Sequence, residues 1–247
     1  MNFSYADPVI AVFVAIPVLL LVAFVCGTSM AFRRSGASRQ TARRVSLAVG
    51  AAAAAWMAVT WAAAEAGLLR NWNQNPPPFG LLVGAILLLS ATISFSGLGR
   101  RLAQFVPLWT LVAIQGFRLP LELAMHAMYE RGIMPREMSY SGRNFDVVMG
   151  ITAIIVAAVV ATRRSGSHKL VAIWNVVGLA LLLNVVIVAI LATPRFRYFG
   201  DERLNVWVMY PPFVWLPAVM VLAALTGHLV IFRALRLQRN QSTRIRR

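Results

Sequence analysis

Residues 8–32 read PVIAVFVAIPVLLLVAFVCGTSMAF, an apolar run without a charged residue and long enough to cross a bilayer as one helix. Asp7 precedes it where a secretory leader would be positive, and the run exceeds a leader's apolar core. It therefore predicts a first transmembrane helix that stays in place. Comparable runs follow at residues 45–69, 79–98, 105–129, 145–162, 170–193 and 206–232. The fold class this predicts is an all-α, polytopic bundle of seven transmembrane helices over residues 1–232, followed by a basic tail over 233–247. Composition agrees: of 247 residues 59% are hydrophobic and 13% charged, where a soluble domain carries about 25% charge.

The formal charge of +16 arises from 24 basic and 8 acidic residues. In a soluble chain that excess would point to nucleic acid, but in a polytopic one basic residues gather in cytoplasmic loops, where they set orientation and meet anionic lipid head groups. The expected partners are the bilayer and those head groups, not nucleic acid. Arg33, Arg34, Arg39, Arg43, Arg44, Arg100, Arg101, Arg163, Arg164, Lys169, Arg233, Arg236, Arg239, Arg244, Arg246 and Arg247 fall in the first, third and fifth connections and the tail. The bias predicts an external amino terminus and a cytoplasmic carboxyl terminus. Asp7, Glu130, Glu137, Asp201 and Glu202 fall on the opposite, outer side, and Glu65, Glu122 and Asp146 in the outer halves of their helices. Cys26, the one cysteine, permits no internal disulfide and no multi-cysteine metal cluster.

Charges inside the bilayer carry the functional information, since each costs about 2.5–3.5 kcal/mol at a helix centre and needs a partner or a hydrated cavity. Residues 115–129, QGFRLPLELAMHAMY, hold most of them. At 100° per residue, Gln115, Arg118, Glu122, His126 and Tyr129 share one face. Arg118 and Glu122, four apart, are placed to pair along the helix, although in the order less favoured by the helix dipole. Pro120 removes a donor to the Gly116 carbonyl and predicts a kink beside the charges, with space for a hydrated pocket.

Counting ~1.5 Å per residue from each run's centre puts Arg118 near the midplane and His126, Glu65 and Asp146 together in the outer half. His228 falls on the cytoplasmic side by the same count. Metal–imidazole bonds of ~2 Å then exclude His126 and His228 as joint ligands of one ion or haem, while a haem with a single histidine stays open. A metal held by His126 with Glu65, Glu122 or Asp146 is one possibility; a proton relay, or an anionic or zwitterionic ligand held by Arg118 with the carboxylates around it, is another. Lys169, the one lysine, lies in a connection, which excludes retinal photochemistry in its usual form.

In residues 138–146, MSYSGRNFD, Gly142 suits a tight turn, Asn144 a helix cap, and Asp146 the positive end of the following helix. The segment reads as a re-entrant cap that brings Asp146 to Arg118 and Glu122. Ser90, Thr92, Ser94 and Ser96 read as bonded to their own helix, Asn175 and Asn184 as interhelical donors, and Gly80 with Gly84 and Ala51 to Ala55 as packing surfaces. Trp72, Trp207 and Tyr210 fit an outer aromatic belt.

Arg118-Leu-Pro-Leu-Glu122, then Pro135 and Met138-Ser-Tyr-Ser-Gly142-Arg-Asn144-Phe-Asp146, then Phe213-Val-Trp-Leu-Pro217 with His228 downstream form a combination. Together they resemble a family of uncharacterised bacterial seven-helix integral membrane proteins, whose usual pattern is R-[IL]-P-V-E, P-x-x-M-T-[FY]-x-G-x-N-F-D and F-V-W-L-P followed by a histidine. The chain departs from it at Leu121, usually Val, and at Ser139, usually Thr. The resemblance implies a bacterial inner-membrane location and importance for Arg118, Glu122, Gly142, Asn144 and Asp146, but no activity.

The functional expectation is an outward-facing polar pocket of Arg118, Glu122, His126, Asn144, Asp146, Glu65, Gln115 and Tyr129 that binds or translocates a small ligand, ion or proton. The alternatives are an intramembrane enzyme using His126 with Glu122 or Asp146, metal-assisted or not, and an accessory subunit without a ligand. The sequence specifies neither cofactor nor oligomeric state.

Overall fold

The computed structural model describes residues 7–162 and 167–245, and side chains up to residue 240 apart from that of Ser167. The predicted positions Arg163, Arg164, Arg246 and Arg247 lie outside the described residues. Within them the chain is helical, without a strand: α1 (Pro8–Arg34), α2 (Arg39–Glu65), α3 (Pro78–Phe95), α4 (Gly97–Phe105), α5 (Leu108–Ala113), α6 (Arg118–Glu130), α7 (Val147–Thr162), α8 (Ser167–Leu191) and α9 (Leu222–Ile245). Five helical segments are long and apolar enough to cross a membrane, and six if the pair Gly97–Phe105 and Leu108–Glu130, bent by 110°, counts as one span. α7, at 16 residues, is apolar but shorter. Leu19, Leu47, Val59, Leu88, Ile155 and Ile173 point outward from the bundle, a coat of apolar surface that water would not tolerate and hydrocarbon does.

Helix ends are where the sequence reading shifts most. Asp7 caps α1 by accepting from the Val9 amide at 2.9 Å, and also pairs with Arg131; together they hold its carboxyl below the usual carboxylate range. The connection predicted over residues 33–44 shrinks to four residues, because Ser38 caps α2 and Arg39, Arg43 and Arg44 extend its first turns. The connection at 99–104 is instead the amphipathic helix α4, with Leu102 and Ala103 buried and Arg100 outside. The segment 233–245, expected as a tail, continues α9.

The largest shift concerns the last span. Residues 206–214, predicted to begin it, turn inward as a 3-10 turn (Trp207–Met209) and loop, and helix begins only at Leu216, in a six-residue π-helical stretch that runs on into α9. Trp207 is therefore not in an aromatic belt but in the core, edge-on to Phe13 and Phe213 at 5.8 and 5.2 Å. The wider π turn frees backbone groups: the Trp56 indole donates to the Ala218 carbonyl at 2.8 Å, and the Trp215 indole returns the contact to the Met57 carbonyl at 3.0 Å.

α9 packs against α3, α4, α5 and α8, and its carbonyls collect side chains from several of them. Gln115 donates to Ala224, Ser94 to Thr226 and Asn175 to His228. Ser94 thus bonds across helices rather than to its own; Ser96 does bond its own, to Ile93. Gly80, Gly84 and Ala51 face outward, so these small residues form no packing surface inside the chain. The close approaches lie elsewhere: a Cβ on Gly150 would fall 2.3 Å from the Leu119 amide nitrogen, which lets α7 lie directly against α6.

Charge is segregated between the two ends. At one, Asp7 pairs with Arg131, Glu137 with Arg203 at 2.9 Å and Asp201 with Arg197 at 3.0 Å. At the other, Arg34 donates to the Phe105 carbonyl and Arg233 to the Ser94 and Ser96 carbonyls, which are orphan acceptors at helix ends. Arg34 and Arg233 thus find carbonyls there, while Arg101 donates to the Ser35 hydroxyl and lies over the Phe32 ring.

Candidate functional site

The helix carrying the polar face does not run straight through. Residues 114–117 tighten into a 3-10 turn, and α6 restarts at Arg118 with Pro120 in its first turn, where a missing N–H costs nothing. The expected irregularity at Gly116 is present as a change of winding. It places Arg118 inside the bundle at 1% exposure, beside Glu122 at 2% and opposite Asp146 at 5%.

Arg118 does not pair along its own helix. One Nη donates to Asp146 Oδ1 at 3.1 Å and the other to His228 Nε2 at 3.2 Å. Glu122 is claimed by Asn144, whose Nδ2 donates to it at 2.8 Å and to the Met138 carbonyl at 3.0 Å. The competing partners win because they come from across the bundle with free geometry, whereas the Arg-before-Glu order on one helix is the weaker one. Asn144 Oδ1 also accepts from the Asp146 amide at 3.0 Å, so one asparagine sets the entry to α7 and holds the Glu122 carboxylate.

The histidine state follows from donor counting. A guanidinium only donates, so His228 Nε2 accepts and Nδ1 carries the hydrogen. That hydrogen goes to Asn175 Oδ1 at 2.8 Å, while Asn175 Nδ2 donates to the His228 carbonyl at 3.0 Å. His228 is thus neutral in this arrangement. Gly178 makes room for it: a Cβ there would stand 2.6 Å from the imidazole Cε1. Neither His228 nor Asn175 was placed in the site by sequence. The depth count put His228 near the cytoplasmic side because it started the last span at residue 206; the span runs Leu216–Asn240, and His228 is its midpoint. The signal available was the histidine following Phe213-Val-Trp-Leu-Pro217, and the isolation of Asn175 in an apolar helix.

Of the other predicted residues, His126 lies nearer the surface, one helical turn beyond Glu122. Its Nδ1 is 2.8 Å from Ser139 Oγ and 3.3 Å from Ser141 Oγ, its Nε2 is 3.5 Å from Glu130, and Tyr140 stacks on the ring at 4.2 Å. The 138–146 segment therefore grips α6 twice, at His126 through Ser139 and at Glu122 through Asn144, and forms the expected cap. Gly142 serves it by close approach, since a Cβ there would lie 2.1 Å from the Arg136 carbonyl oxygen. Asn184 donates to the Arg143 carbonyl at 2.7 Å and ties the cap to α8 rather than joining two helices. Tyr129 meets the His126 ring at 5.9 Å and otherwise packs on the hydrophobic core. Gln115 is fully buried but turned to α9, over Gly227.

Glu65 is outside the site. It is the last residue of α2 and exposed, because Ala64 takes the inward position and the helix ends where the count had placed it still within the membrane. Among the described residues no group of three or more His, Cys, Asp or Glu side chains is arranged to hold a metal ion. A cavity of about 20 Å3 borders Arg118, Glu122 and Asp146, its remaining walls formed by apolar side chains including Phe117, Met125 and Met220. That is room for one water molecule.

Fold and site together define an all-helical membrane bundle with a buried, hydrogen-bonded charge cluster at its centre. Residues 77–236 match the family described as Domain of unknown function (DUF8737), and the chain belongs to that family. No curated protein and no solved structure matches it.

Proposed function

We propose that this is a seven-span protein of the bacterial inner membrane, amino terminus outside and carboxyl terminus in the cytoplasm, whose Arg118 cluster binds and passes a proton. Five long helices, the arm Leu108–Glu130 and α7 make up the seven crossings. The separation of ion-paired acids at one end from carbonyl-bonded arginines at the other supports the orientation, and the basic end is where anionic head groups would bind. The motifs shared with bacterial seven-helix proteins support the location. A reporter fused after Arg247 should read cytoplasmic and a cysteine at Ser141 should label from the periplasm; labelling from the cytoplasm alone would invert the topology.

The proton reading rests on one observation. With both buried carboxyls ionised, Glu122, Asp146, one guanidinium and one neutral imidazole would sum to −1, beside a space that admits a water and nothing larger. A buried net charge is costly, and a proton is the smallest counter-charge that removes it. The ordered groups run from His126 at the rim through Glu122, Asn144 and Asp146 to Arg118, His228 and Asn175. Arg118 keeps its charge and holds the imidazole and Asp146 on either side, while the carboxylates and water carry the proton. An enzyme built on His126 with Glu122 or Asp146 has no such support, since His126 bonds the cap serines and Glu130 instead.

The test uses the full chain in vesicles that enclose a pH-sensitive dye, with a potassium diffusion potential imposed. Wild type should acidify the interior faster than Glu122→Gln or Asp146→Asn, which should match protein-free vesicles. Wild-type flux equal to that of protein-free vesicles would leave a packing role as the reading.

A further inference from the structure

α4 is turned 110° from the arm Leu108–Glu130 that follows it, so where the arm crosses the bilayer α4 lies close to the membrane plane. The corner before it is tight: a Cβ on Gly99 would fall 2.3 Å from the Ser94 carbonyl oxygen. Its apolar side, Leu102 and Ala103, packs with Ala31 of α1 and with Val230 and Ala234 of α9. Phe95 before it and Trp109 after it point out of the bundle at 64% and 45% exposure. Aromatic rings at both ends of a surface helix suit the depth of lipid head groups.

Two arginines cross the seam between α1 and α4 in opposite directions. Arg34, at the end of α1, donates to the Phe105 carbonyl at 3.1 Å; Arg101 of α4 donates to the Ser35 hydroxyl, its guanidinium 4.6 Å from the centre of the Phe32 ring. Ser35 adjoins Arg34 and Phe105 is one turn past Arg101, so both guanidiniums stand on this seam. Arg233, by contrast, is committed to two carbonyls, those of Ser94 and Ser96. Among the described residues Arg34 and Arg101 each spend a single N–H in this way, and neither meets a carboxylate. The donors left over belong to planar forks that match phosphate. Arg33 and Arg100, next to them in the chain, are exposed and add to the positive potential. Residues 8–64, 66–121 and 203–247, which supply every segment meeting here, contain no acid, so an ammonium group would find no carboxylate.

We propose that the seam between α1 and α4 is a seat for one anionic phospholipid, its phosphate held between Arg34 and Arg101 and its head group drawn toward Arg33 and Arg100. The seat rests on the attraction of the basic end for anionic head groups and gives that attraction two named side chains and one lipid class. Zwitterionic lipids are disfavoured, because their ammonium brings a positive charge to a seam that already has four. Proton movement through the Arg118 cluster plays no part in it.

The test is native mass spectrometry of the full chain released from non-ionic detergent micelles, with dioctanoyl phosphatidylglycerol or dioctanoyl phosphatidylcholine added at equal concentration. Wild type should retain one phosphatidylglycerol at concentrations where phosphatidylcholine leaves the chain bare, and its detergent melting should rise with the first lipid alone. Arg34→Gln/Arg101→Gln should weaken phosphatidylglycerol binding about tenfold or more, the loss of a charge-assisted hydrogen bond. The charge-matched Arg43→Gln/Arg44→Gln on α2 should change it by less than about twofold, since exposed charges away from the phosphate are screened. Arg101→Lys keeps the charge without the fork and should weaken binding about threefold, which serves where the double variant does not fold. Glycerol phosphate, the same chemistry without acyl chains, should not compete at the lipid's concentration. Equal weakening by the two double variants, wild-type binding by Arg101→Lys, or full competition by glycerol phosphate would overturn the seat and leave the general attraction of the basic end standing. Equal retention of the two lipids would overturn both. The flux assay above is unaffected by any of these results.

Discussion

Arg118→Leu lowers stability in detergent melting by about 3–5 kcal/mol, the cost of stripping one partner from a buried ion pair. The change leaves Asp146 without the guanidinium it meets at 3.1 Å and removes the donor to His228 at 3.2 Å. Glu122→Gln is milder, within about 1.5 kcal/mol, because a glutamine oxygen still accepts from Asn144. Arg118→Leu/Asp146→Leu recovers more than half of the single-mutant loss, since apolar replacement of a whole buried pair is close to neutral. Equal melting of Arg118→Leu and parent, or a double variant no better than the single, would show that these residues do not act as one electrostatic unit.

Gly150→Ala has an effect of similar size through packing. Its new methyl would meet the Leu119 amide nitrogen at 2.3 Å and Cα at 2.7 Å, atoms of a helix backbone that have no rotamer into which to retreat. α6 and α7 must separate, at more than about 3 kcal/mol, beyond ordinary overpacking. Gly150 is one turn past Asp146 and Leu119 is next to Arg118, so the separation also stretches the ion pair. Gly84→Ala is the control: the site is exposed with nothing within 4 Å, and the change should be neutral or stabilising by up to ~1 kcal/mol through helix propensity. If the two alanine variants melt alike, α6 and α7 are not in the close contact described.

Much of the site was legible from the chain. Arg118, Glu122 and Asp146 stand out because a charge in an apolar span is expensive wherever the helix ends up. The role of residues 138–146 as a cap was legible from turn and capping chemistry, which is local: Asn144 accepts from an amide two residues on, and Asp146 ends the segment at the start of α7. His126 was found on the correct face but at the wrong contacts, because helical periodicity gives direction without naming the neighbour that will be there. Glu65 was misassigned by the same depth count that misplaced His228: both errors came from taking the limits of an apolar run as the limits of a helix, whereas α2 begins in the basic connection and the last span begins after an inward-folded loop.

What the amino-acid sequence determined by itself was what depends on composition and short-range order: membrane-crossing helices, the cap, and the burial of Arg118, Glu122 and Asp146, though not the exposure of Glu65. The approach of Asp146 to Arg118 was expected from the cap; tertiary structure alone decided that Arg118 pairs there rather than with Glu122, and that His228 joins it. Asp146 and His228 reach Arg118 from positions 28 and 110 residues away, and Asn175 fixes the histidine from another helix. Those contacts depend on how far each helix is rotated and where along the normal it starts, and both are set by close approaches such as Gly150 on Leu119 and Gly178 on His228. No local rule encodes them, since they follow from the whole bundle minimising its voids and its unpaired charge.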